Sequence, residues 1–295
     1  MSEALAIARY HIVLVAMGGA LTFGWLMTGR HLFLLTIVVA VDWFVINLVN
    51  RVTDIEEDLR NGIPGTERVA RRKGLYTTLA ATLCAGSFAA TMIAWPALTP
   101  WRIAVQLIGL GYNYKIVPTP RGFSRFKEIY FLKNFGSAVL FILTCFVYPL
   151  AVAGADRAMP WPAVIAHALF FLLFEHTYEI LYDFRDLDGD RALGVPTYPV
   201  VHGPAAARRI VDGLLLAAAL VLAFALAAGL IGVREGLMLA APATQFALYR
   251  PRLARGLTSR DCILITHAGT AQLALFLAGN AIWLRAGMPA NIYLR

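Results

Sequence analysis

Long apolar stretches recur along the whole chain, divided by short polar segments. A membrane span needs roughly 20 mostly apolar residues at about 1.5 Å rise each. About nine stretches approach that length, near 8–28, 32–52, 75–95, 99–115, 131–153, 161–182, 208–232, 235–249 and 262–285. The fourth and eighth are the shortest. Proline and glycine clusters mark the loops between them, as in Gly62-Ile63-Pro64-Gly65, Pro118-Thr119-Pro120-Arg121-Gly122 and at Pro160. The apolar run from Ile12 to Met27 has only Arg9 upstream and leads straight into the next stretch. It reads as a first membrane helix rather than a cleaved leader. The pattern predicts a single all-α integral membrane domain over residues 1–295, a bundle of about nine transmembrane helices.

Composition agrees. Only 15% of the 295 residues are charged and 59% are hydrophobic, whereas soluble domains carry ~25% charge. The net charge of +8 raises the question of nucleic acid. The basic residues answer it by falling in short loops between apolar runs, which excludes a nucleic-acid surface. Arg9, Arg51, Arg68, Arg71, Arg72, Lys73, Arg121, Arg125, Lys127 and Arg191 fall on one side if loops alternate, and Arg30, Arg102, Arg157, Arg234, Arg285 and Arg295 on the other. The richer side faces the cytoplasm. With an odd number of spans, the N-terminus is inside and the C-terminus outside, as in a multi-pass protein of the cell inner membrane. Cys84, Cys145 and Cys262 lie far apart in apolar segments and form neither a metal motif nor a disulfide framework.

Two acidic clusters interrupt this economy of charge. Asn50-Arg51-Val52-Thr53-Asp54-Ile55-Glu56-Glu57-Asp58 ends the second stretch, and Asp183-Phe184-Arg185-Asp186-Leu187-Asp188-Gly189-Asp190 ends the sixth. Both fall on the cytoplasmic side. Like charges one turn apart destabilise a helix, and carboxylates at its C-terminus oppose the macrodipole. A bound cation reverses both costs. On a continuous helix Asn50, Asp54 and Asp58 share a face, as do Asp183, Asp186 and Asp190. Hard oxygen donors of this kind suit Mg²⁺, which favours one or two carboxylates plus phosphate oxygens and water. The two halves are not obvious repeats, although each cluster closes an even-numbered span.

Basic residues supply an anion site beside the metal. Lys127 and Lys133 flank the entrance of the fifth stretch, Asn134 follows, Lys115 ends the fourth after Tyr112-Asn113-Tyr114, and Arg191 follows the second cluster. Lys127, Lys133, Asn134, Arg191 and Tyr114 are the candidate diphosphate contacts. Arg121, Arg125 and the run from Arg68 to Lys73 read as membrane anchors.

With these motifs the chain resembles the UbiA superfamily of intramembrane prenyltransferases. Asn50, Asp54 and Asp58 match the family's first motif, with Arg51 where an acid is common. Asp183, Asp186 and Asp190 match the second, followed by Arg191 and Gly194. Lys127 to Asn134 resembles the family's lysine-bearing stretch, with Glu128 for aspartate. The segment Asn61-Gly62-Ile63-Pro64-Gly65 lacks the arginine common there. The resemblance implies a helical bundle around a central cavity and Mg²⁺ bridging the aspartates to a substrate diphosphate.

The expected chemistry is prenyl transfer. Asp54, Asp58, Asp186 and Asp190 are the catalytic candidates, with Asn50 and Asp183 completing the Mg²⁺ set. Metal and lysines stabilise the charge that builds on the departing diphosphate. The allylic cation is then attacked by a small-molecule acceptor, expected to be aromatic or quinone-precursor-like. Tyr178, Tyr182 and His176 are candidates for the acceptor or cation region, His176 also reading as a core histidine. A membrane terpene cyclase would use the same ionisation without an acceptor. A transporter fits less well, because its carboxylates belong near the bilayer midplane.

Overall fold

The computed structural model describes residues 3–120 and 122–288. Arg121 and Arg295, read above as loop charges, lie outside the described residues. Helices stand at every predicted stretch. They are α1 (Tyr10–Thr28), α2 (Phe33–Thr53) with the short α3 (Ile55–Arg60), α4 (Lys73–Ala94), α5 (Thr99–Asn113) and α6 (Leu132–Ala153). There follow α7 (Trp161–Arg185) with the short α8 (Leu187–Leu193), α9 (Pro204–Ala227), α10 (Ala240–Ala254) and α11 (Ser259–Arg285). Helix is the outcome lipid imposes, since each backbone polar group must be satisfied within its own segment.

Among the described residues, seven of these helices are long and apolar enough to cross a membrane. The two exceptions, α5 and α10, have 15 residues each. At 1.5 Å per residue they reach about 22 Å, short of a hydrocarbon core of about 30 Å. These are the fourth and eighth of the nine expected stretches, the two already read as shortest. One departure from the all-helical expectation is a hairpin in which Val117–Thr119 pairs antiparallel with Gly122–Ser124.

Side-chain exposure is that of a protein dissolved in lipid. Ile93, Phe224 and Leu275 are among the most exposed side chains, at 85%, 72% and 70%. The interior is aromatic, with Phe23 4.5 Å from Phe146 and 4.9 Å from Phe171, and Trp43 4.1 Å from Phe141, between ring centroids. A charged pair away from the acidic ends lies inside the bundle. Arg102 donates to Asp42, to Thr91 Oγ1 at 2.7 Å and to Ser87 Oγ at 2.9 Å, while Tyr148 and Gln106 each donate to Asp42 at 3.0 Å. These bonds tie α2, α4, α5 and α6 together, and they satisfy a buried ion pair as such a pair requires.

The two acidic helix ends are built alike. Neither is one continuous helix, as the spacing predicted. α2 breaks at Asp54 (φ −101°, ψ 25°) and α7 breaks at Asp186 (φ −95°, ψ 7°). The break has an electrostatic reason. It turns the acids that would oppose the dipole of the long helix into first-turn acids of a short one, where carboxylates gain roughly 0.3–1 kcal/mol. Asp58 lies in the first turn of α3 and Asp190 in that of α8. Each short helix then closes on a left-handed glycine, Gly62 (φ 61°) or Gly194 (φ 69°). The next N–H returns to the aspartate carbonyl, from Ile63 to Asp58 and from Val195 to Asp190, at 2.9 Å each. The halves therefore repeat locally, each an aspartate pair followed at the same spacing by Gly-Ile-Pro or Gly-Val-Pro.

Candidate active site

A cavity of about 670 Å³ opens between the two acidic ends. Asn50, Asp54 and Asp58 line it from α2 and α3, and Asp186 and Asp190 from the break at the end of α7 and from α8. Lys127 and Lys133 line it from the loop before α6 and from its first turn. Tyr178 and Tyr182 line its α7 wall. Five predicted residues stand elsewhere. Asp183 is fully buried behind the wall, paired with Lys133 and accepting 2.6 Å from Asn134 Nδ2. Asn134 thus reaches the site only through Asp183. His176 bonds Tyr198 across 3.0 Å and faces Phe131 and Phe135. Tyr114 is 43% exposed where α5 ends, and Arg191 is exposed on α8.

The carboxylates of the first end have cationic or amide neighbours. Asn50 donates to Asp54 and, at 3.0 Å, to Asn113. Lys127 Nζ sits 2.8 Å from Asp54 Oδ1 and 2.6 Å from Glu57 Oε2. Arg125 comes within 3.6 Å of Asp54, so it serves the site as well as its loop. Arg51, fully buried, donates to Asp58 and to the Pro64 carbonyl at 2.7 Å, and Arg9 lies 3.7 Å from Asp58. Burial pushes the Asp190 carboxyl up to about 7; Lys133 opposes this, while Asp183, Asp186 and Glu57 add to it.

Among the described residues no three His, Cys, Asp or Glu side chains converge as a ready-made metal cage. Mg²⁺ needs none, because it completes its shell with water and substrate phosphate. Among the described residues no hydrogen-bond donor reaches two buried oxygens of the cavity lining, Asp54 Oδ1 and Asp190 Oδ2. Ion pairing with Lys127 does not satisfy the directional need of the first. Orphaned hard oxygens of this kind are donors that suit a divalent ion.

The sequence reading missed several lining residues. Glu57 and Arg9, which line the cavity, and Arg125, which approaches Asp54, belong to charge runs in which no single residue stands out. Glu175 and Glu179 did carry a signal: they precede Asp183 at four-residue steps inside an apolar helix, and ionisable groups there mark function. Both line the cavity. Tyr178 packs there because α11 offers Gly269, where a Cβ would lie 2.5 Å from the tyrosine oxygen. A second, apolar pocket of about 400 Å³ adjoins and shares Val15, Glu175 and Tyr178 with the first.

The model of the UbiA prenyltransferase family matches residues 108–266. A digeranylgeranylglyceryl phosphate synthase from Haloquadratum walsbyi (strain DSM 16790 / HBSQ001) is 30% identical over 153 residues, covering 51% of this chain and 52% of that protein. The match thus spans about half of the relative. Two solved structures of a UbiA homolog from Archaeoglobus fulgidus share the fold. The one bound to DMAPP and Mg²⁺ has a TM-score of 0.69 at 18% identity, covering 94% of this chain and 98% of that one. The one bound to GPP and Mg²⁺ has a TM-score of 0.67 at 17% identity, covering 94% and 99%.

Proposed function

We propose that this chain, which belongs to the UbiA prenyltransferase family, ionises an isoprenoid diphosphate and passes the prenyl group to a hydroxyl-bearing acceptor inside the membrane. The observation that carries this reading is the pairing of two like-built aspartate ends across one cavity, with Lys127 and Lys133 between them. Asp54, Asp58, Asp186 and Asp190 would hold Mg²⁺, with Asn50 orienting Asp54 and with Asp183 acting on Lys133. Mg²⁺, when bound, supplies Lewis-acid stabilisation of the departing diphosphate.

The protein's own groups do the rest. Lys127 and Lys133 bring positive charge to the oxygens on which charge builds as the C1–O bond breaks, in a site where water is scarce. Below them the wall turns apolar, with Trp43, Ile46, Leu140 and Phe141 around the space for the prenyl chain. The adjoining pocket, lined by Phe170, Phe174 and Phe276 among others, suits a further length of hydrocarbon. Similarity to the Haloquadratum walsbyi synthase supports a phosphorylated-polyol acceptor over the aromatic one expected from the motifs alone. The basic loops support an orientation with both aspartate ends at the cytoplasmic face.

Purified protein in lipid, given geranyl diphosphate and Mg²⁺, should release diphosphate and label a long-chain alkylglycerol phosphate. Release without the acceptor, with a cyclic hydrocarbon as product, would favour the cyclase instead. Binding of both ligands with no turnover would sink the enzyme reading.

A further inference from the structure

Two carboxylates in the cavity wall are not used by the ionisation. Glu179 and Glu175 lie on α7, one and two turns before Asp183, and both line the cavity. Glu179 accepts a hydrogen bond from Ser137 Oγ at 2.8 Å. Its charged neighbours include Lys133, Asp183, Arg9 and Glu175. Glu175 is 4% exposed. Among the described residues no hydrogen bond or ion pair reaches its carboxylate, which borders both the polar cavity and the apolar pocket.

A prenyl chain explains neither group. It is hydrocarbon and offers no hydrogen-bond donor, and a carboxylate facing it would be a cost without return. Their height fits the other substrate. At 1.5 Å per residue Glu179 lies about 10 Å below Asp186, two turns away on the same face of α7. A diphosphate held between the aspartate ends would span most of that drop and bring the reacting carbon near the level of Glu179. Glu175 lies one turn deeper, where the wall becomes apolar.

Building on the prenyl-transfer reading, we propose that Glu179, held by Ser137, is the catalytic base for the acceptor, and that Glu175 fixes the acceptor's hydroxyl-bearing end by accepting a second hydrogen bond. The C1–O bond of the donor breaks with its electron pair left on the diphosphate. A lone pair of the acceptor hydroxyl forms the new O–C1 bond. The hydroxyl proton passes to a carboxylate oxygen of Glu179, its electron pair staying on the ether oxygen, and leaves to water once product departs. The same two carboxylates select the substrate. They accept from alcohols, and an acceptor that presents its own carboxylate to this wall has no proton to offer them.

The test separates ionisation from transfer. Geranyl diphosphate labelled with ¹⁸O at the bridging position scrambles the label into non-bridging positions whenever the C1–O bond breaks and re-forms. The full chain in lipid with Mg²⁺ is followed for scrambling and for transfer to an alkylglycerol phosphate. Glu179→Gln should keep scrambling within about threefold of wild type while transfer falls about 100-fold. Glu175→Gln should raise the KM for the acceptor about tenfold with less change in kcat. Ser137→Ala, which keeps both carboxylates, should lower transfer about tenfold and guards against a Glu179→Gln protein that fails to fold. Transfer by Glu179→Gln within twofold of wild type, or scrambling lost in step with transfer in Ser137→Ala, would overturn the proposal. An absence of scrambling in the wild-type protein would instead strike the prenyl-transfer reading beneath it.

Discussion

At the first acidic end the residue three before the helix break is Arg51, and at the second it is Asp183. The backbones match there, with a break, a short helix and a left-handed glycine in each. The charges are reversed. Arg51 turns inward and neutralises Asp58 from within its own segment, also holding the Pro64 carbonyl. Asp183 turns away from the cavity and draws Lys133 and Asn134 from α6. At this position one end thus carries its counter-charge within its own segment and the other recruits it across helices, while Lys127 reaches Asp54 from outside and Arg185 pairs with the adjacent Asp186. The shared architecture brings four aspartates to one cavity, and the reversed position decides how strongly each end depends on an external cation. On this view the second end, whose Asp183 engages Lys133 for its own pairing, is the more dependent on metal.

The largest expected effect tests that dependence. Asp186→Ala should lower Mg²⁺-dependent diphosphate release by about 10³-fold or more, because it removes a ligand where the developing charge is greatest. Asp58→Ala should cost less, since Arg51 already occupies much of its field. Equal losses in the two variants, in protein that inserts and folds, would erase the asymmetry.

Next in size is Arg51→Met. It leaves Asp58 buried with its main partner gone, and breaking a buried pair from one side costs about 3 kcal/mol or more. Thermal unfolding in detergent or lipid should show the loss, and millimolar Mg²⁺ should recover part of it. A loss that Mg²⁺ does not touch would mean that Asp58 stands outside the metal site. Lys133→Met addresses the other end. It removes a cation from the diphosphate and uncovers Asp183, so turnover should fall about 10²-fold. A change confined to stability, with turnover per folded molecule intact, would make Lys133 a brace for Asp183 alone.

Helix positions were legible because lipid leaves the backbone few alternatives. The aspartate ends were legible because charge in such a chain needs a reason. His176 shows where that reading stopped. Its seven-residue spacing from Asp183 does give them a common face, but the face is wrong: Asp183 looks toward Asn134 and Lys133, and His176 follows it to Tyr198. The cavity face of α7 runs instead through Glu175, Tyr178, Glu179, Tyr182 and Asp186. Helical spacing fixes which residues look the same way, and only the packing of neighbouring helices fixes where that is. The local repeat was hidden by Arg51. Aligning the clusters on their first residues, Asn50 with Asp183, shifts the register by one, and the matching Gly-Ile-Pro and Gly-Val-Pro then fall out of phase.

The smallest effect concerns the contact between the two ends. Gly189 on α8 faces Asn61 at the end of α3, where a Cβ would lie 2.0 Å from Asn61 Oδ1. The matching place in the first end holds Glu57, whose side chain reaches Lys127. Glycine is therefore needed on one side only, where the short helices touch. Gly189→Ala gains up to about 1 kcal/mol of helix propensity and loses a similar amount as the Asn61 side chain swings aside. Its net effect on stability should stay within about 1 kcal/mol, and Asn61→Ala should make the alanine stabilising. A double-mutant cycle by thermal unfolding isolates the contact, with an expected coupling of about 0.5–1 kcal/mol. A much larger cost for Gly189→Ala, unrelieved by Asn61→Ala, would mean that backbone rather than one flexible side chain sets the distance between the ends. The separation of the aspartate pairs would then be fixed by the fold before any metal or diphosphate binds.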